Sequence, residues 1–178
     1  MTTIEAPSNA GSGTSDRDTV RLVEEHDLAA LEVLDKEVFQ DLAYSKHYLR
    51  TFYNLFRKTW FVVDRDGDLA GYALIGPDSD NREAWLLGLA VSERHQGHGL
   101  GRKLMRTAVD TMKDLGVADG FITVRPDNEA AFHLYESFGF LQDGEEREDY
   151  YGNGERRKVL RHSFEVDARP GGSGDAGA

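Results

Sequence analysis

The sequence predicts a mixed α/β domain, and three observations predict it. Residues 84–124 read as a strand, a crossover helix and a strand, a unit that puts neighbouring parallel strands into one sheet with a right-handed connection. An Asp66-Gly67 turn joins two apolar runs as an antiparallel hairpin. A glycine-rich turn, Gln96-Gly97-His98-Gly99-Leu100-Gly101, stands between the first strand of the crossover unit and its helix.

The elements follow in chain order. Residues 19–23 form a short strand candidate. Asp27 then stands as a cap before the helical spacing Leu28, Leu31, Leu34 and Phe39. A second helix is expected over 46–56. Strands are expected over 60–63 and 69–75, either side of Arg65-Asp66-Gly67-Asp68. Residues 84–91 are apolar without polar alternation, as in a central strand covered on both faces. From Leu100, the positions Leu104, Ala108, Thr111, Met112 and Leu115 recur at helical spacing, and Gly116 is placed to end that helix. Residues 121–124 are the next strand. Asp127-Asn128 caps a short helix whose inner face is Ala131, Leu134, Tyr135 and Phe138. Residues 140–146 and 157–164 read as a closing strand pair around Tyr150-Tyr151-Gly152-Asn153-Gly154.

With 178 residues and 39% hydrophobic content, the chain can bury one good core but not two. The expected organisation is a disordered tail over 1–16, one domain over 17–167 and a Gly-rich disordered tail over 168–178. Lys and Arg number 21 against 32 Asp and Glu, a net charge of −11, so the overall field repels phosphate backbones and anionic lipid alike. Neither nucleic acid nor membrane is expected as a partner. The absence of cysteine excludes a disulfide framework, a thiolate metal site and a thiol nucleophile. No stretch approaches the roughly 20 apolar residues of a membrane span, and the N-terminus lacks a basic region followed by an apolar one. A cytoplasmic protein, monomer or homodimer, is expected.

A strand that runs into a glycine-rich turn and then a helix presents unpaired backbone N–H groups at the positive end of the helix dipole. Such a turn is an anion cradle. Side chains at Gly97, Gly99 or Gly101 would hold a phosphate away from the amides or forbid the backbone angles required. The spacing departs from a P-loop, because Arg102 and Lys103 stand where Lys and Ser/Thr belong. It departs from GxGxxG too, because the glycines alternate singly. An ordinary helix start with flexible glycines is the other reading.

The alternating glycines resemble the Q/RxxGxG/A motif of the GNAT superfamily of N-acetyltransferases, with Gln96 first and Gly99 and Gly101 at the glycines. Downstream, Arg125-Pro126-Asp127-Asn128-Glu129-Ala130-Ala131 and Leu134-Tyr135-Glu136-Ser137-Phe138-Gly139-Phe140 resemble that family's asparagine, tyrosine and Gly-Phe segment. The resemblance covers about residues 19–165, and residues 147–154 look most like the ribosomal-protein alanine acetyltransferase branch. It implies a central mixed, largely antiparallel sheet of six to seven strands with about four helices on both faces. It also implies acetyl-CoA as co-substrate, no metal, and an amine-bearing acceptor. Position by position, Leu89, Ala90 and Val91 would pair with the pantetheine arm and thioester carbonyl. The loop Gln96, Gly97, His98, Gly99, Leu100, Gly101 and Arg102 would cradle the pyrophosphate. Asn128 would bond the pantetheine or thioester end, and Tyr135 would be the acid for the leaving thiolate.

The sequence departs from the family at the base. Thr123 stands five residues before the asparagine, where Glu or His is common, and cannot take a proton from an ammonium. The base then comes from elsewhere or is water: Glu83 through water, Glu148 and Asp149 are candidates, while His98, inside the phosphate loop, and His133, off the helix face of Tyr135, are placed for other roles. Glu145, Glu146, Glu148 and Asp149 offer a seat for a cationic acceptor, with Tyr44, Tyr48, Tyr150 and Tyr151 as walls. The function expected is direct acetyl transfer to a primary amine, on a small metabolite or on a protein N-terminus or lysine. The alternatives are an acyl-CoA-binding sensor without turnover and a nucleotide-binding regulator, the latter disfavoured by spacing and charge.

Overall fold

A computed structural model describes residues 17–165 of the chain. The expected tails, 1–16 and 168–178, and the last two residues of the domain expected over 17–167 lie outside the described residues. The elements run β1 (Asp18–Leu22), α1 (Leu28–Phe39), α2 (Lys46–Phe56), β2 (Trp60–Arg65), β3 (Asp68–Pro77), β4 (Glu83–Val91), α3 (Leu100–Asp114), β5 (Asp119–Val124), α4 (Glu129–Glu136), β6 (Leu141–Gln142) and β7 (Lys158–Ser163). All strands share one sheet in the order β1-β2-β3-β4-β5-β7-β6. Only β4 and β5 pair in parallel; the other neighbours are antiparallel.

Local chemistry explains the ends of several elements. Asp66 and Gly67 take φ of 53° and 89°, the left-handed pair that a two-residue hairpin turn demands, and Arg65 faces Asp68 across it. Helix α3 buries Leu100, Leu104, Met105, Ala108, Val109 and Met112 on one face. Each of the large ones contributes about 1.5–3 kcal/mol by leaving water. The helix stops at Gly116 (φ 74°), where Gly116 N–H donates to Lys113 O and Val117 N–H to Met112 O, so the last carbonyls are satisfied as the chain turns away.

Two cores lie on opposite faces of the sheet. Leu31 and Leu34 of α1 and Leu49 of α2 pack with Trp60, Val62, Tyr72, Leu74 and Ala90 on one face. The buried face of α3 and Tyr135 of α4 pack with Val63, Ala73, Ile75, Leu86, Ile122 and Leu160 on the other. Helices on both faces of a mixed, mostly antiparallel seven-stranded sheet agree with the architecture that the resemblance implies.

Two expectations are corrected. Asp27 stands at the N-cap position of α1 but makes no side-chain cap bond to that helix: its carboxylate accepts the Glu24 N–H at 2.7 Å and pairs with Arg21, closing the turn before the helix instead. The strand expected over 140–146 contracts to Leu141–Gln142, because Gly144 (φ 79°) takes the chain out of extended backbone. Pairing resumes only at an isolated bridge between Arg147 and Arg157.

Candidate active site

The site originates in one irregularity of β4. Leu74 faces Gly88 while Ile75 faces Leu86, so Leu87 is an extra residue, a β-bulge. A bulge reverses the alternation of side chains. Ala84 and Leu86 lie in the α3-side core before it, and Leu89 and Val91 join that side after it. Leu87 and Ala90 face the α1-side core. An alanine at Gly88 would meet the Tyr72 hydroxyl at 2.7 Å, so only glycine lets the bulged backbone lie over that side chain.

At the same point β4 leaves β5. Their register ends at Leu86–Ile122, and among the described residues no strand covers the far half of that edge of β4. Ser92 N–H donates to Ala70 O of the β3 side, so strand alternation turns the N–H groups of Leu89 and Val91 the other way, into the gap. The gap is a cleft of about 710 Å³ that reaches both faces of the sheet. Leu89, Ala131 and Tyr135 border it from one face, and Phe39 and Tyr44 from the other. Thr123, Tyr151 and Arg157 line the side of β5 and β7.

Tyr135 is 6% exposed, and burial pushes its hydroxyl well above the ordinary tyrosine range, so it carries its proton at neutral pH. Asn128 begins α4 and its Oδ1 accepts the Ala131 N–H at 3.1 Å, which leaves its amide NH2 to donate into the cleft it borders. Tyr44 donates to Leu87 O of the bulge at 2.9 Å, and burial, with Tyr151 and Asp35 nearby, pushes its hydroxyl up to about 12. Asp35 is fully buried on α1. It accepts the Tyr72 hydroxyl and, at 2.5 Å, the Tyr44 N–H; burial raises its carboxyl above the usual range despite both bonds.

The glycine turn lies at the mouth of the same strand. Gly97 and Gly99 have φ of 79° and 78°, and a Cβ added at either would meet nothing within 4 Å. The first helical hydrogen bond is Lys103 N–H to Gly99 O, so the amides of Leu100, Gly101 and Arg102 have no partner within the helix. The loop therefore offers open amides at a helix N-terminus, with space where a side chain would otherwise stand. Two of its side chains are used locally. Gln96 donates to Val91 O at 3.3 Å, tying the turn to β4, and the His98 ring lies 3.2 Å from His95 O. Arg102 extends over the ring of Phe138.

Leu89, Asn128 and Tyr135 thus meet at one cleft, with Ala90, Val91 and residues 96–102 continuing along β4 from it. The candidate bases do not border the cleft. Glu83 stands at the opposite end of β4, opposite Asp119. Glu148 lies 3.7 Å from Arg156, Asp149 accepts the Gly154 N–H, and His133 pairs with Glu136 at 3.3 Å. Of the four tyrosine walls, Tyr44 and Tyr151 border the cleft; Tyr48 and Tyr150 do not. The seat expected at Glu145, Glu146, Glu148 and Asp149 is outside it as well, and Glu146 is bound by Arg156. The charged groups that do line it are Arg125, Asp127 and Arg157, with Asp127 held by Arg125 at 3.2 Å. Arg157, Asp35 and the Gly88 bulge were not singled out from the sequence. The glycine inside an apolar strand was a readable signal of a bulge; the buried arginine and aspartate had none.

Comparison with known proteins matches this arrangement. A sequence model of the acetyltransferase (GNAT) family fits residues 25–140, from the turn before α1 to the residue after Gly139. Streptothricin acetyltransferase of Streptomyces lavendulae is 34% identical over 95 residues, 53% of this chain and 50% of that protein. The bS18-alanine N-acetyltransferase of Escherichia coli is 37% identical over 91 residues, 51% of this chain and 60% of that protein. The matches thus span about half to three-fifths of those two relatives. The crystal structure of the ribosomal-protein-S18-alanine N-acetyltransferase from Escherichia coli superposes with a TM-score of 0.75 at 26% identity, covering 86% of this chain and 97% of that one. The family match runs through the bulged strand, the glycine turn and the tyrosine helix, which border the cleft, and this chain belongs to the acetyltransferase (GNAT) family.

Proposed function

We propose that the protein transfers an acetyl group from acetyl-CoA to a primary amine by direct attack in a ternary complex. The observation that carries this reading is the parting of β4 and β5 beyond Leu86–Ile122, which opens a cleft to both faces of the sheet beside an anion-binding helix start. A donor thioester and an acceptor amine can then approach one point from opposite sides.

Acetyl-CoA supplies the thioester. In this reading the amides of Leu100, Gly101 and Arg102 hold its phosphates, and the outward N–H groups of β4 bond its amide-rich arm. The Leu89 N–H donates to the thioester oxygen where negative charge develops, and the Asn128 amide orients the same end. As the amine nitrogen bonds to the carbonyl carbon, the carbon–sulfur bond breaks and Tyr135 gives its proton to the departing sulfur. The amine's own proton leaves to solvent, and the Tyr135 oxygen takes a proton back from solvent, which restores the starting state. Among the described residues Asp127 is the one carboxylate lining the cleft; it is exposed and pairs with Arg125, so this reading assigns no protein base and takes the acceptor as the neutral amine.

That same feature favours a second reading, an acyl-CoA-binding sensor without turnover. Calorimetric titration with acetyl-CoA, followed by thiol release over a panel of amines and N-terminal peptides, separates the two. Binding with amine-dependent release is expected; binding without release from any amine favours the sensor, and no binding removes both.

A further inference from the structure

Resting on the acetyl-transfer reading, we propose that the acceptor end of the cleft holds a carboxylate-binding subsite built on Arg157, so that the acceptor carries a carboxylate close to its amine.

Arg157 is placed by backbone bonds on both sides of its Cα. Its N–H donates to Arg147 O at 3.0 Å, and its carbonyl accepts the Arg147 N–H at 2.8 Å. Its side chain is 6% exposed and borders the cleft. Both hydrogen bonds of the guanidinium among the described residues leave from Nη1, to Glu155 Oε2 at 2.6 Å and to Arg156 O at 2.9 Å. The ring of Tyr151 covers one face at 5.1 Å, and the Tyr151 hydroxyl lies 3.1 Å from Thr123 Oγ1 on the cleft wall. What remains is the Nε–Nη2 edge, two parallel N–H groups set to match the two oxygens of a carboxylate. Glu155 pairs with the Nη1 side, the Nε–Nη2 edge is not among the buried donors left without a partner and so stays open to the cleft, and a ligand anion that meets it binds without first displacing a protein partner.

The rest of the lining points the same way. Asp127 is taken by Arg125, and Glu146 and Glu148 of the hairpin are taken by Arg156. Arg157 is paired with Glu155 as well, but through Nη1 alone, so an acid still finds its Nε–Nη2 edge without a protein partner among the described residues. The carboxylate has two possible sources, the α-carboxylate of a free amino acid or the side chain of an acidic residue next to a peptide N-terminus.

The test uses the whole protein with CoA bound and ligand pairs already acetylated, so that no amine pKa enters. N-acetylalanine is compared with N-acetylalaninamide, and N-acetyl-Ala-Asp-amide with N-acetyl-Ala-Asn-amide, by calorimetry. The corresponding free amines are followed by thiol release. At least a tenfold preference for the acid of one pair is expected, and which pair shows it identifies the source. In Arg157→Gln that preference falls to about one, and Arg157→Lys, which keeps the charge without the fork, retains part of it. Equal binding within both pairs by the wild-type protein overturns the subsite without any variant, as does an undiminished preference in Arg157→Gln. Discrimination between the acetylated ligands without thiol release from any amine leaves the subsite standing and removes the acetyl-transfer reading.

Discussion

Tyr135 combines a hydroxyl that keeps its proton with a position on the wall of the cleft, and the two have one cause, its burial on the inner face of α4. Tyr135→Phe removes the acid while leaving the packing. We expect kcat to fall by about 10²- to 10⁴-fold with little change in acetyl-CoA affinity, read by thiol release and calorimetry. Asp35 acts through others: it holds the Tyr72 hydroxyl beneath Gly88 and the backbone of Tyr44, whose own hydroxyl bonds the bulge. Asp35→Ala leaves two buried donors unmet and should lower unfolding free energy by about 2–4 kcal/mol. The pH dependence has a definite sign. A carboxyl whose folded-state pKa is raised by burial favours folding most when protonated, so the wild type loses stability as pH rises from the ordinary carboxylate range through the raised value. Asp35→Asn, which cannot ionise, should be flat over that window in chemical denaturation.

At the scale of elements, the site is made by two glycine-dependent backbones, and each predicts a different failure. Gly88→Ala would put a methyl 2.7 Å from the Tyr72 hydroxyl and 2.8 Å from its ring, so overpacking of about 1–3 kcal/mol is expected together with weaker turnover, measured by denaturation and kinetics. Gly99→Ala meets no atom but must adopt φ near 78°. It should cost the fold only about 1 kcal/mol while weakening acetyl-CoA binding disproportionately, because its methyl enters the space in front of the amides. A parallel loss of stability and affinity in Gly99→Ala would mean that this turn is an ordinary helix start. The hairpin of residues 147–157 contributes at the same scale, since it delivers Tyr151 and Arg157 to the cleft from a loop that β7 anchors beside β5.

For the whole molecule, the lining of the cleft sets the pH dependence of turnover. With no protein base at the amine, kcat/KM should rise tenfold per pH unit until the acceptor's own pKa. Peptide α-amines, with pKa about 7.7–8.0, should level off near pH 8, while lysine side chains, with pKa about 10.4, should keep rising to about pH 10. At neutral pH the neutral fraction alone favours an α-amine over a lysine by a factor on the order of 10² to 10³. A plateau that begins near pH 6 for every acceptor would reveal a protein base and would sink the neutral-amine mechanism. The net charge of −11 surrounds a cleft whose own lining holds two arginines and one aspartate, so acceptor choice is set locally rather than by the outer field.

The order of elements, the glycine turn, Asn128 and Tyr135 were legible in the sequence because each depends on neighbours within a few residues. Left-handed backbone needs glycine, a helix start needs a cap, and an inner face needs helical spacing. The missing base at Thr123 was legible for the same reason, as one position in a contiguous segment. Tertiary structure alone decided what now stands in its place. Asp35 and Arg157 are charged residues whose burial follows from packing against elements far away in the chain, and two of the hairpin acids, Glu146 and Glu148, pair with Arg156. Whether a charge is spent on a partner or left open to a ligand depends on distances across the sheet, and a one-dimensional pattern carries no such distances.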